Sequence, residues 1–375
     1  MSQAWKVFKF GGSSVTDAAC MERVARIVEA EPGERLAVVL SACRGVTDAL
    51  LALVEAAEGQ RDTSEGLAAI RDRHTQIAGE LCDTADLAAY TSEIDADCRD
   101  VTRVLHAAQL TRSASSTVRD LIAGFGELWS TRLFARYLGA RARRQGVHWI
   151  DARTIVQVKW GPLGPTVQWA ESRANAAGIL PGDSHATLVI TGFIARDPQG
   201  LQTTLGRNGS DFSASIFADL LDAGEIQIWT DVDGVLSADP SRVPDATVID
   251  SLSYEEAMEL AYFGAKVIHP QTMAPAVEKG IPIRIRNTFA PDGAGTLISA
   301  TSNSSRAVKG ITSIDRVGLV NVEGAGMIGV PGTAQRLFGT LREDGISVIL
   351  ISQGSSEHSI CFAVLESDAE RTVRT

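Results

Sequence analysis

Apolar and polar positions along the chain fall into short strand-like runs separated by stretches of helical period. Val7-Phe8-Lys9-Phe10 is a run of strand character that stops at the paired glycines Gly11-Gly12. Cys20, Met21, Val24, Ala25, Ile27 and Val28 then recur at helical spacing. Leu36–Leu40 reads as a second, fully apolar strand opening into Ser41-Ala42-Cys43-Arg44-Gly45-Val46-Thr47-Asp48. Residues 50 to about 138 predict a long helical region whose charges form a solvated face. Residues 147–151, 186–190, 225–230 and 281–287 predict further strands, with helices over 212–218 and 255–263. Strands alternating with helices predict an α/β fold with a mostly parallel sheet.

Past the polar run 301–306 the period changes. Residues 318–322, 347–353 and 358–364 predict strands and 334–342 a helix, with a further helix start at Asp368. This βαββ order is most of a ferredoxin-like unit. It lacks a last strand and most of a last helix, which would leave a sheet edge open, so the chain reads as cut short. Two domains are therefore expected, 1–300 and a linker plus incomplete module at 301–375.

Composition narrows the function. The 375 residues are 45% hydrophobic and carry a net charge of −11, which argues against nucleic acid or an anionic membrane as partner. The five cysteines are scattered with no C-x-x-C pair, as expected of a reducing cytoplasm with no zinc site or disulfide framework. No signal peptide or membrane-length apolar run is read from the sequence.

Four places carry candidate chemistry. Gly11-Gly12 followed by Ser13, Ser14 and a helix start would aim backbone N–H groups at an anion. Lys9, a cation inside an apolar strand, needs a partner; a transferred phosphoryl group and a snorkelling surface position remain equal readings. In Ile122-Ala123-Gly124-Phe125-Gly126-Glu127, two glycines inside a helical pattern cost about 1 kcal/mol each, so packing or a site must explain them. Glu127 among apolar neighbours wants a cation, from a ligand ammonium or an ordinary Arg. A second glycine loop, Leu205-Gly206-Arg207-Asn208-Gly209-Ser210-Asp211, precedes a helix. Its Arg207 suits bidentate carboxylate recognition, while Ser210 or Asp211 could be only an N-cap. In the same way Thr47 or Asp48 could simply cap the helix after the Ser41 loop.

Together, Lys9-Phe10-Gly11-Gly12-Ser13-Ser14-Val15, Leu205 to Asp211, Trp229-Thr230-Asp231-Val232-Asp233-Gly234-Val235 and Phe263-Gly264-Ala265-Lys266-Val267-Ile268-His269-Pro270 resemble aspartokinases in order and spacing. Val320 to Gly324 and Ile351 to Ser359 resemble the first ACT module of aspartokinases fused to homoserine dehydrogenase. The resemblance implies an amino-acid-kinase (carbamate-kinase-like) three-layer fold, followed by a partial ACT module. It implies ATP-dependent phosphorylation of the β-carboxylate of L-aspartate, the first step towards lysine, threonine and methionine, in the cytoplasm. Lys9, Gly11, Gly12 and Asp211 would be catalytic. Ser41, Thr47, Glu127, Phe193, Arg207 and Ser210 would bind substrate, with Arg207 on the α-carboxylate and Glu127 on the α-ammonium. Ser13, Thr230, Asp231, Asp233, Arg242 and Lys266 would hold ATP, and Mg²⁺ would sit on its phosphates with no protein metal cage. Gly326, Ile328 and Gln353 would contact an effector. A homo-oligomer through complete ACT modules, and a homoserine dehydrogenase part beyond residue 375, are also implied. The family usually has Tyr at Leu236 and Arg at Ser241; Arg242 is the expected substitute for the latter. A sibling kinase acting on glutamate or acetylglutamate, a phosphate-acceptor member of the same fold, and an inactive effector-binding scaffold are the competing readings.

Overall fold

The computed structural model describes residues 4–375 except 34, 142, 145, 163, 182–185, 264–268, 303–305, 307, 325–326, 328 and 354–358. The chain divides into two units, residues 1–311 and 312–375.

The first unit opens with β1 (Lys6–Phe10), a 3-10 turn (Gly12–Val15), α1 (Ala18–Ala30) and β2 (Leu36–Leu40). The helical region is five helices: α2 (Val46–Glu58), α3 (Ser64–Leu81), α4 (Thr84–Thr111), α5 (Ser116–Ala123) and α6 (Phe125–Ala140). Then come β3 (Val147–Ile150), the hairpin β4 (Val158–Gly161) and β5 (Gly164–Val167), and α7 (Trp169–Ile179). β6 (Thr187–Thr191) leads into a second hairpin, β7 (Ile194–Arg196) and β8 (Gln202–Thr204), then α8 (Gly209–Leu220) and β9 (Glu225–Thr230). β10 (Ser251–Ser253), α9 (Tyr254–Tyr262), α10 (Pro270–Lys279), β11 (Ile283–Asn287) and β12 (Thr296–Ser299) complete the unit.

Eight strands form one sheet in the order β10-β12-β11-β9-β1-β2-β6-β3, parallel except for the β11–β12 pair. β1 lies between β2 and β9, with Lys9 in register with Val39 and Ile228. β2 and β6 are buried at every residue, as central parallel strands covered on both faces must be. Alternation along β1 and β2 divides the core in two. Phe8, Phe10, Leu36, Val38 and Leu40 face α1 to α6, where Phe10 stacks on Trp229 at 5.8 Å. Val7, Ala37 and Val39 face α8 and α10. The expected three-layer α/β fold is present. Among the described residues no helix is long and apolar enough to cross a membrane.

The second unit is a three-stranded antiparallel sheet, β13-β15-β14, from β13 (Val317–Glu323), β14 (Leu350–Gln353) and β15 (Ser359–Leu365). α11 (Thr333–Glu343) and α12 (Glu366–Arg374) accompany it, around Leu341, Ile346, Ile360, Phe362 and Val364. β14 begins at Leu350 rather than 347, and the second helix runs for nine residues. Arg371 paired with Asp368, and Arg374 with Glu370, place opposite charges one turn apart on that helix.

Candidate active site

The C-terminal ends of β1, β2, β6 and β8 open into one cavity of about 410 Å³. It is lined by Lys9, Gly11, Gly12, Ser41, Thr47, Glu127, Phe193, Arg207, Ser210 and Asp211, with Ala42 to Gly45, Asp48, Gly206, Asn208 and Gly209 between them. Positions far apart in sequence thus meet at strand ends, where open parallel sheets place their ligands.

Lys9 stands one residue before the end of β1 with its ammonium 2.6 Å from Asp211 Oδ1, both side chains largely buried. The cation in the apolar strand therefore has a protein partner, and the snorkelling reading falls. Gly12 is needed for contact: a Cβ there would lie 2.9 Å from the Ala42 carbonyl oxygen. Asp211 stands in the first turn of α8, not at its cap; the N-cap is Asn208, left-handed at φ 56°, a conformation Asn tolerates better than most residues. Neither Thr47 nor Asp48 caps α2 either; Gly45 does, at φ 80°. Both loops need left-handed backbone at the turn, so the caps moved to the residues that can supply it. Phe193 is also left-handed, at φ 67°. Its N–H donates to Ser213 Oγ at 2.9 Å and its carbonyl accepts from Leu205 N–H at 2.7 Å, which fixes the ring in the cavity wall.

Glu127 occupies the opposite wall. It is 3% exposed, and its Oε1 accepts from Ala42 N–H at 3.1 Å. Oε2 is buried with no partner among the described residues. Burial pushes its carboxyl up to about 8, with the Ala42 N–H pulling the other way. The two glycines beside it have packing reasons. A Cβ on Gly126 would sit 2.7 Å from Ala42 Cβ, and one on Gly124 would overlap the Gln202 amide. Gly126→Ala is therefore expected to push the Ala42 loop outward and lower stability by about 1–3 kcal/mol. Chemical denaturation measures it, and an unchanged midpoint would show that the loop yields freely.

Arg207 lines the cavity with its side chain exposed. The strand before it is fastened to α5: Asp120 accepts from Thr203 Oγ1 at 3.0 Å and Thr204 Oγ1 at 3.2 Å. Gln202 Nε2 donates to the Asp120 carbonyl at 2.7 Å. Sequence reasoning missed Asp120 and Gln202, along with Ser130, whose Oγ donates to the Ser41 carbonyl at 2.8 Å. Only the two mid-helix glycines signalled this close approach. Ser41 Oγ donates to Ser210 Oγ at 2.8 Å, joining the loops after β2 and β8.

The residues expected to hold ATP lie apart from this cavity. Thr230 ends β9 and Asp231 and Asp233 follow it; Thr230 Oγ1 donates to Asp231 Oδ1 at 3.2 Å, and Asp233 accepts from Asn287 Nδ2 at 2.7 Å. From the first glycine loop it is Ser14, not Ser13, that reaches this side, 2.8 Å from Thr288 Oγ1. Ser241 is spent on Asp239 through its N–H and Oγ, and Arg242 is exposed. Lys266 lies outside the described residues, as do Gly326 and Ile328. Gln353 ends β14, exposed.

The model of the amino acid kinase family matches residues 4–287, and that of the ACT domain residues 320–375. The chain belongs to the amino acid kinase family. Within the family, a bifunctional aspartokinase/homoserine dehydrogenase of Daucus carota is 41% identical over 382 residues, covering 99% of this chain and 41% of that one. The chain thus spans about two fifths of the curated relatives it first matches. E. coli aspartokinase III, solved with lysine and aspartate, superposes at TM-score 0.75 with 32% identity, over 96% of this chain and 78% of that one. The same enzyme with aspartate and ADP gives TM-score 0.74 at 28% identity, over 98% of both chains. This amino acid kinase is therefore aspartokinase-like in sequence and fold.

Proposed function

We propose that this chain phosphorylates the β-carboxylate of L-aspartate with ATP, giving 4-phospho-L-aspartate and ADP. The observation that carries the reading is the cavity that unites Lys9 and the Gly11-Gly12 turn with the exposed Arg207 guanidinium and with a Glu127 carboxyl whose Oε2 has no partner among the described residues. Arg207 and Glu127 match the α-carboxylate and α-ammonium of an amino acid, which leaves a side-chain carboxylate for the glycine loop. That carboxylate is already a nucleophile. It attacks the γ-phosphorus, the bond to the ADP oxygen breaks, and no general base is needed. The protein's task is to bring two anions together and to neutralise charge on the transferring group. Lys9 and the loop amides supply that field, and Asp211 holds the Lys9 ammonium at the end of β1.

Thr230, Asp231, Asp233, Ser13, Arg242 and Lys266 are proposed for the nucleotide. Among the described residues no cluster of three or more His, Cys, Asp or Glu is placed to hold a metal. Mg²⁺ is proposed to be held mainly by phosphates and water, with Asp231 and Asp233 as the nearby carboxylates. Bound there, the ion would neutralise phosphate charge. Gln353, with Gly326 and Ile328, is proposed to contact an effector in the ACT unit.

ADP release is measured with aspartate, glutamate and N-acetylglutamate, and acyl phosphate is trapped with hydroxylamine. Aspartate-dependent ADP and hydroxamate are expected; better turnover of either alternative would overturn the reading. Arg207→Lys keeps charge but loses the planar fork. It is expected to raise the aspartate KM roughly 10–100-fold, the scale of a charged hydrogen bond, and to leave the ATP KM unchanged. A parallel rise in both would place Arg207 on the phosphates.

A further inference from the structure

Arg73, on α3, does something its neighbours do not. Arg71, Arg132 and Arg136 in the same helical layer sit on Asp95, Asp97 and Glu93. Arg73 makes no ion pair among the described residues. Its guanidinium instead forks onto two backbone carbonyls. Nη1 donates to the Arg44 carbonyl at 2.9 Å and Nη2 to the Thr16 carbonyl at 3.0 Å. Arg44 belongs to the loop that carries Ser41 and the Ala42 N–H on Glu127 and leads into Thr47 in the first turn of α2. Thr16 closes the 3-10 turn that carries Gly11 and Gly12, and its hydroxyl donates back to the Gly12 and Ser13 carbonyls at 3.1 Å. One backbone bond, Arg44 N–H to the Gly12 carbonyl at 3.1 Å, joins the two loops directly.

We propose that Arg73 is a positioning residue that sets the spacing between the substrate loop after β2 and the glycine loop after β1. It does so through a two-pronged bridge from outside the cavity. The proposal rests on the kinase reading of this cavity. In that reading the two loops hold the two reactants, so their separation decides how often the carboxylate stands in line with the γ-phosphorus. A planar fork with fixed donor geometry suits two carbonyls at a set distance, whereas a single ammonium holds one well and the other poorly. Loss of the bridge leaves each loop folded on its own bonds but free to drift. A displacement of about 1 Å at a reacting centre can cost about a hundredfold in rate. Each loop's affinity for its own substrate changes little.

Three arms test this in the whole chain. In Arg73→Met, amide hydrogen exchange at residues 12–16 and 43–46 is expected to accelerate together, by about tenfold or more. The kcat of aspartate-dependent ADP release is expected to fall about 10–100-fold, with both KM values within about threefold. Ile77→Ala, a buried position on the same helix, serves as the stability control and is expected to lower Tm while leaving kcat within about twofold. Arg73→Lys is expected to recover only part of kcat. Unchanged exchange in either segment, full recovery by lysine, or an equal kcat loss in Ile77→Ala overturns the proposal. If the wild-type chain releases no ADP with aspartate, the kinase reading fails, and the exchange arm alone decides the bridge.

Discussion

Lys9→Met is expected to lower kcat for aspartate-dependent ADP release by about 10²–10³, the scale for losing one preorganised charge at a transition state. The lysine is fixed by its strand and by Asp211, so it needs no reorganisation when charge builds on the transferring phosphoryl. Methionine has nearly the same length and suits the apolar strand between Val39 and Ile228. It does leave the Asp211 carboxylate, 14% exposed, without its 2.6 Å partner. Removing one member of a buried pair is costly in itself. Lys9→Met combined with Asp211→Asn separates the two effects. Stability should recover in the double variant and kcat should not. If the double variant regains activity to within about threefold of wild type, the ammonium does not act on the transition state.

Much of this cavity was legible in the sequence because its residues break local rules. Lys9 interrupts an apolar strand, Gly124 and Gly126 interrupt a helix, and Arg207 rides a glycine loop. Each break is a cost that only a site or a close approach explains, and the cavity brings all of them together except Gly124 and Gly126, which instead let α6 approach the Ala42 loop and the Gln202 side chain. Strand identities were legible for the same kind of reason, since β2 is a continuous apolar run and β6 carries Leu188-Val189-Ile190 at its centre. The strand order β10-β12-β11-β9-β1-β2-β6-β3 was not, because nothing local says which runs pair. The hairpins β4–β5 and β7–β8 were missed for their shortness and their mixed polarity. Arg73 and Asp120 were invisible for another reason. Each acts on backbone or side-chain atoms dozens of residues away, and on their own helices they read as ordinary charges of a solvated face.

Aspartate binding is expected to tighten as pH rises towards 8, because Glu127 must lose a proton to receive the ammonium. In the free site the carboxyl is buried, one oxygen is held by Ala42 N–H and the other has no partner, and its pKa is raised to about 8. At neutral pH the site is therefore mostly protonated. An ammonium placed at Oε2 favours the charged form, so binding and deprotonation are coupled. The sign follows directly. Below the raised value each binding event must release a proton, and the aspartate KM is expected to fall about tenfold for each pH unit gained up to 8, and then level off. Cys43, which lines the same cavity, is pushed to about 12 by burial. Folding carries the same signature with a matching sign. Between the ordinary glutamate value and 8, the folded chain keeps a proton that the unfolded chain has lost, so stability falls as pH rises through that interval. Glu127→Gln keeps the shape and can still accept from Ala42 N–H, but it carries no titration and no charge. It is expected to raise the aspartate KM roughly 10–100-fold above pH 8, the scale of a charged hydrogen bond. Its KM should be flat with pH, and it should lose the Tm decline of the wild type. A KM slope in Glu127→Gln equal to that of the wild type would assign the proton to another group and remove Glu127 from the ammonium.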